Sequence, residues 1–108
     1  MPGSFAHLPH QLGQFVTCPV PLETCVDVRN PDEIAPGAIP RVIAVRDPHL
    51  GRFRTCVEQL AYVQVFVPPC EPRRVRISPC QTRIRLDYGR YDVTIESRND
   101  VIEVTYHN

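Results

Sequence analysis

Proline placement limits this chain more than any other feature of its sequence. Twelve prolines occur in 108 residues, eight of them before Phe53. Each fixes φ and removes a backbone donor, so neither a helix interior nor the middle of a sheet holds one without loss. Long helices are therefore excluded, and short extended segments divided by turns remain. The side chains agree, since Val, Ile and Thr number 27 against 11 Ala plus Leu, and β-branched residues lose little by lying in a pleated sheet. An all-β domain is expected.

Short strands are expected at 24–28, 40–46, 52–57, 59–67, 74–78, 81–88, 91–97 and 101–107, separated by Pro, Gly, Asn and Asp. Six to eight strands at this spacing describe a small antiparallel β-sandwich or jelly roll, and 108 residues suffice for one modest core. Residues 24–108 are read as that single domain. Residues 1–23 read as an extended, Pro-rich N-terminal arm that carries Phe5, Leu8, Leu12, Phe15 and Val16 and has no acidic residue before Glu23. Solvated tails are poor in apolar groups and rich in charge, so this arm is expected to dock on a neighbouring subunit.

The last 28 residues permit a register to be written. With Gly89-Arg90 as a two-residue loop, Tyr88 faces Tyr91, Leu86 faces Val93 and Ile84 faces Ile95. With Arg98-Asn99 as the next loop, Ile95 faces Ile102, Val93 faces Val104 and Tyr91 faces Tyr106. Both hairpins then bury one face, and the other carries Arg83 across from Glu96 and Arg85 across from Thr94. Asp87 opposite Asp92 is discordant, and Arg85 or Arg90 is expected to neutralise the pair. Residues 59–67 differ in having two apolar faces: Leu60, Tyr62 and Phe66 on one, Ala61, Val63, Val65 and Val67 on the other. Such a strand wants cover on both sides, and the second set is the candidate for contact with another subunit.

Twelve basic residues, all Arg, balance twelve acidic ones. No net field is present to hold nucleic acid or an anionic membrane, and the stripe of Arg73, Arg74, Arg76, Arg83 and Arg85 reads as a solvated, ion-paired face. No segment approaches the ~20 apolar residues of a membrane helix, and the first residues lack the basic start and apolar run of a signal peptide. Neither membrane insertion nor Sec export is expected. Catalytic signatures are also missing: there is no GxSxG, phosphate-cradling glycine loop, HExxH or acidic calcium loop. No enzymatic activity, cofactor or small-molecule substrate is expected.

The five cysteines, at 18, 25, 56, 70 and 80, include no CxxC and no histidine at finger-like spacing, so no metal site is expected. Three of the five adjoin proline at strand ends, as Cys18-Pro19, Pro69-Cys70 and Pro79-Cys80. Thiols at rigid loop ends can reach another chain, and an odd count leaves one unpaired within the subunit. Cys18, Cys25, Cys70 and Cys80 are the candidates for intersubunit disulfides. The alternative is a cytosolic module whose reduced thiols serve a protein partner or a metal.

The run from Pro68 to Tyr106, above all Val75-Arg76-Ile77-Ser78-Pro79-Cys80 followed by two β repeats, resembles spore-coat morphogenetic proteins. More loosely, it resembles the self-assembling coat, exosporium and endospore-appendage proteins of spore-forming bacteria. The likeness covers about the last 40 residues. It implies a small β-sandwich or jelly-roll subunit, released without a signal peptide and disulfide-linked into sheets or fibres. The appendage subunits carry a cysteine pair near their start, whereas the first cysteine here is Cys18. The expected function is a structural subunit that polymerises with itself into an extracellular or spore-surface fibre or layer.

Overall fold

A computed structural model describes residues 10–49 and 60–108. The expected strand at 52–57, Phe5, Leu8 and Cys56 lie outside the described residues. Within them the chain forms eight strands: β1 (Phe15–Val16), β2 (Val26–Arg29), β3 (Ile39–Arg46), β4 (Leu60–Val67), β5 (Arg74–Ile77), β6 (Arg83–Asp87), β7 (Asp92–Arg98) and β8 (Val101–His107). One 3-10 turn, Pro31–Glu33, precedes β3. No helix among the described residues is long and apolar enough to cross a membrane. The strands make two sheets, β1-β3-β4 and β2-β8-β7-β6-β5, stacked as a small β-sandwich. The expected fold class is the one observed.

Alternation builds the core. Ile43, Val45, Ala61, Val63, Val65 and Val67 from the three-stranded sheet meet Ile84, Leu86, Val93, Ile95, Ile102, Val104 and Tyr106 from the five-stranded sheet. Each set occupies every second position of its strands, the period that puts side chains on one face. Among the described residues, two hydrogen bonds involving a side chain join strands of one sheet to strands of the other. Phe66 donates its backbone N–H to the Tyr106 hydroxyl (3.0 Å), and buried Ser97 donates its hydroxyl to the Arg46 carbonyl (2.7 Å).

The β6–β7 register is the expected one, with Ile84 opposite Ile95, Leu86 opposite Val93 and Arg83 opposite Glu96. Gly89 has φ 91°, and its N–H bonds the Asp87 carboxylate at 2.8 Å. Asp87 and Asp92 do face each other, and Arg85 pairs with Asp92. The β7–β8 hairpin differs: its loop is Asn99-Asp100, so Arg98 meets Val101, Ile95 meets Val104 and Val93 meets Tyr106. Asp100 adopts φ 66°, a left-handed conformation that aspartate tolerates. Moving the loop by one residue shifts every pair by two, and a period of two leaves the same side chains inside. Glu96 consequently faces Glu103, and Arg98 lies near both, with Arg29 also on Glu103.

Three further expectations are corrected. The sheet is not wholly antiparallel, because β2 joins β8 in parallel, with Val26 beside Ile102; strands not joined by a tight turn are free to pair in either sense. Ala61, Val63, Val65 and Val67 line the core rather than an intersubunit face, since the facing sheet supplies their cover. Leu60, Tyr62, Gln64 and Phe66 point the other way, and Phe66 is exposed. In the described part of the arm, Leu12 and Phe15 pack on this chain's own core and Val16 is buried. The reason is backbone pairing: β1 adds to β3, Gly13 donates to the Ala44 carbonyl at 2.9 Å, and Ala44 donates to that of Gln14 at 3.1 Å. Arg41 then stacks over the Phe15 ring, 3.8 Å from its centre.

Three strands cannot cover five. Val28 on β2 and Val75 and Ile77 on β5 stand opposite core residues in the register, yet each remains more than 40% exposed. The sandwich thus has an apolar margin along both edges of its wider sheet.

Candidate functional site

Two groups of chemically competent side chains lie on the surface. The first is the set of thiols. Cys18, Cys25, Cys70 and Cys80 are all exposed and unbonded, and each lies in a connection rather than a strand. Cys18 follows β1, with its sulfur 3.9 Å from His10 Nε2. Cys70 sits in the β4–β5 connection, where its N–H reaches the Pro68 carbonyl at 2.7 Å.

Cys80 occupies the β5–β6 turn, held by a local network. Ser78 donates its N–H to the Arg83 carbonyl, Gln81 donates to Ser78, and Gln81 takes φ 62°. The Ser78 hydroxyl accepts the N–H groups of Thr82 and Arg83, both at 3.2 Å. Its own proton is free for the Cys80 sulfur at 3.5 Å, and the Thr82 hydroxyl reaches that sulfur at 3.1 Å. Hydrogen bonds to the thiolate favour it. With the Ser78 hydroxyl as the largest cause and Thr82 next, the Cys80 thiol is lowered to about 7. The thiolate is the nucleophile in disulfide exchange, so this exposed sulfur is poised to react near neutral pH.

The second group forms where three connections meet. Pro48 follows β3, and its carbonyl accepts the N–H of Asp100 in the β7–β8 loop at 3.0 Å. Glu23, ahead of β2, donates its N–H to the Tyr62 carbonyl at 2.8 Å, which fixes that segment against β4. The junction places His49 between two carboxylates, with Nε2 at 3.1 Å from Glu23 Oε2 and Nδ1 at 3.2 Å from Asp100 Oδ1. Asp47 accepts the His49 backbone N–H at 2.9 Å, and Glu23 Oε2 also accepts that of Cys25 at 3.0 Å. Glu23, first through its bond to His49, has a lowered pKa, and His49, first through Glu23 and then Asp100, has a raised one. The Cys25 sulfur, His49 nitrogen and Glu23 oxygen all lie within 4.8 Å of one another. Beside them Pro21, Leu22, Leu60, Ala61 and Tyr62 line a shallow cleft of about 240 Å³ with Glu23 and Asp47.

Of the sequence candidates, the four thiols are on the surface, whereas Leu12, Phe15, Val16 and the odd-numbered β4 residues belong to the core. No sequence motif marks the Glu23–Cys25–His49 junction, because His49 is distant in the chain from Glu23 and Cys25. The turn chemistry of Asp47-Pro48 and Asn99-Asp100 is the only signal that could have drawn attention to two of its three loops. Comparisons with protein-family models, with curated proteins and with solved structures find no match.

Proposed function

We propose that this chain is a structural subunit that assembles with copies of itself into a fibre or layer, cross-linked by surface thiols, at an extracellular or spore-surface location. The observation that carries this reading is the set of four exposed, unpaired cysteines in three separate connections, Cys18 and Cys25 between β1 and β2, Cys70 between β4 and β5, and Cys80 between β5 and β6. A soluble subunit gains nothing in folding stability from such thiols, and exposed free cysteines invite cross-linking. A subunit with two or more cross-linking points propagates a chain, and heterologous contacts that do not close give filaments. The apolar margins at Val28, Val75 and Ile77 add contact area for lateral packing.

The test is negative-stain electron microscopy of protein purified without reductant, joined to disulfide mapping by non-reducing mass spectrometry. Regular fibres or sheets are expected, dispersed by reductant, with Cys18 or Cys25 of one subunit linked to Cys70 or Cys80 of the next. Dispersed monomers, or links confined to one chain, would overturn the proposal.

A further inference from the structure

We infer that Glu23, Cys25 and His49 form a binding site for a thiophilic divalent cation of the zinc class. The three donors are one carboxylate oxygen, one thiolate sulfur and one imidazole nitrogen, a set that suits zinc and not calcium or magnesium, which take oxygen alone. The spacing suits it as well. In a tetrahedral shell with Zn–N and Zn–O near 2.0–2.2 Å and Zn–S near 2.3 Å, the N···O separation is about 3.3 Å and N···S about 3.6 Å. The Nε2···Oε2 distance is already 3.1 Å, and the remaining separations lie within 4.8 Å. Rotation of the exposed Cys25 side chain closes the difference.

Asp100 supplies the independent support. A metal-bound histidine characteristically donates its other ring N–H to a carboxylate or carbonyl, which fixes the tautomer and the ring plane. Here Asp100 Oδ1 stands 3.2 Å from Nδ1, so the ring presents Nε2 toward Glu23 and Cys25. An ion pair alone accounts for His49 between Glu23 and Asp100, but not for the sulfur beside them. Three protein ligands leave one position for water. The bound ion would join the segment before β2 to the β3 terminus, and through Asp100 to the β7–β8 loop.

The experiment uses the full chain under reductant, where cross-linking plays no part, so its outcome is separate from that of the assembly test. Cobalt(II) is titrated as an optical probe and then displaced by zinc(II). One equivalent of cobalt should bind and give the near-ultraviolet thiolate-to-metal charge-transfer band. Cys25→Ser should abolish that band, His49→Ala should weaken binding more than 100-fold, and Cys80→Ser should leave both unchanged. Asp100→Asn, which keeps a residue tolerant of φ 66°, should weaken binding about 10-fold by loosening the ring. Alkylation of the folded wild-type protein provides a readout without substitution: zinc should protect Cys25 and leave Cys80 reactive. A charge-transfer band that survives Cys25→Ser, an unchanged affinity in His49→Ala, or equal alkylation of Cys25 with and without zinc would overturn the site.

Discussion

The β6–β7–β8 meander and the β1-β3-β4 sheet contribute about equally to one core, but they are assembled in opposite ways. In the meander each strand meets its chain neighbour across a two-residue loop, at Gly89-Arg90 and Asn99-Asp100. In the three-stranded sheet, β1 comes from the segment before β2 and pairs with β3 on the far side of it. Closing short loops costs little chain entropy, and long-range pairing costs more. The meander therefore carries its own instructions, whereas the smaller sheet relies on the meander's apolar face as a template.

The sharpest way to break this comparison is to open a cavity in each layer. Leu86→Ala in the meander and Ile43→Ala in the smaller sheet remove side chains with no exposure, and each should cost about 3 kcal/mol in denaturant unfolding. If the sheets share one cooperative core, both variants keep a single transition with an unchanged slope. A three-stranded sheet that opens on its own would show Ile43→Ala as a loss of amide protection confined to β3 and β4. Ser97→Ala tests a tie between the layers and should cost about 1 kcal/mol, because it leaves a partly buried carbonyl with one bond fewer. Gly89→Ala tests the meander's own loop. At φ 91° an alanine should cost about 1 kcal/mol, while the nearby Arg73 side chain can move aside. The smallest effect concerns reactivity rather than stability. Alkylation of Cys80 should rise with pH through a midpoint of about 7, because only the thiolate attacks. Ser78→Ala, which removes the largest cause of the shift, should move that midpoint upward toward the ordinary 9.0. A midpoint unaltered by Ser78→Ala would mean that the turn does not activate the sulfur.

Legibility in the sequence follows the same division. Ile84, Leu86, Val93 and Ile95 could be paired in advance because a glycine at the loop fixes the β6–β7 register. The β7–β8 register slipped by two because Asp100 takes the left-handed position without being glycine, yet the buried face was still right, since a two-residue slip preserves alternation. For β4, alternation identified two faces but could not say which one the other sheet covers. That depends on a layer whose placement is set by tertiary packing. Leu12, Phe15 and Val16 were legible as residues that must be covered, not as residues covered by their own chain. Among the surface groups, the exposure of Cys18, Cys70 and Cys80 follows from proline and strand ends, whereas Cys25 lies within the expected strand 24–28 and in the structure just precedes β2. The activation of Cys80 lay in the nearby Ser78 and Thr82. Nothing local joins Glu23 to His49 and Asp100, so that junction becomes visible only once three loops are set side by side.

The parallel pairing of β2 with β8 bears on the order in which the protein can be completed during its synthesis. Val26 cannot meet Ile102 until everything between them has left the ribosome, a wait on the order of ten seconds at ordinary elongation rates. The nascent chain must hold Val26–Arg29 unpaired throughout that interval, with Cys25 beside it. Translation that stalls before β8 leaves the wider sheet without the strand on which both β2 and β7 close.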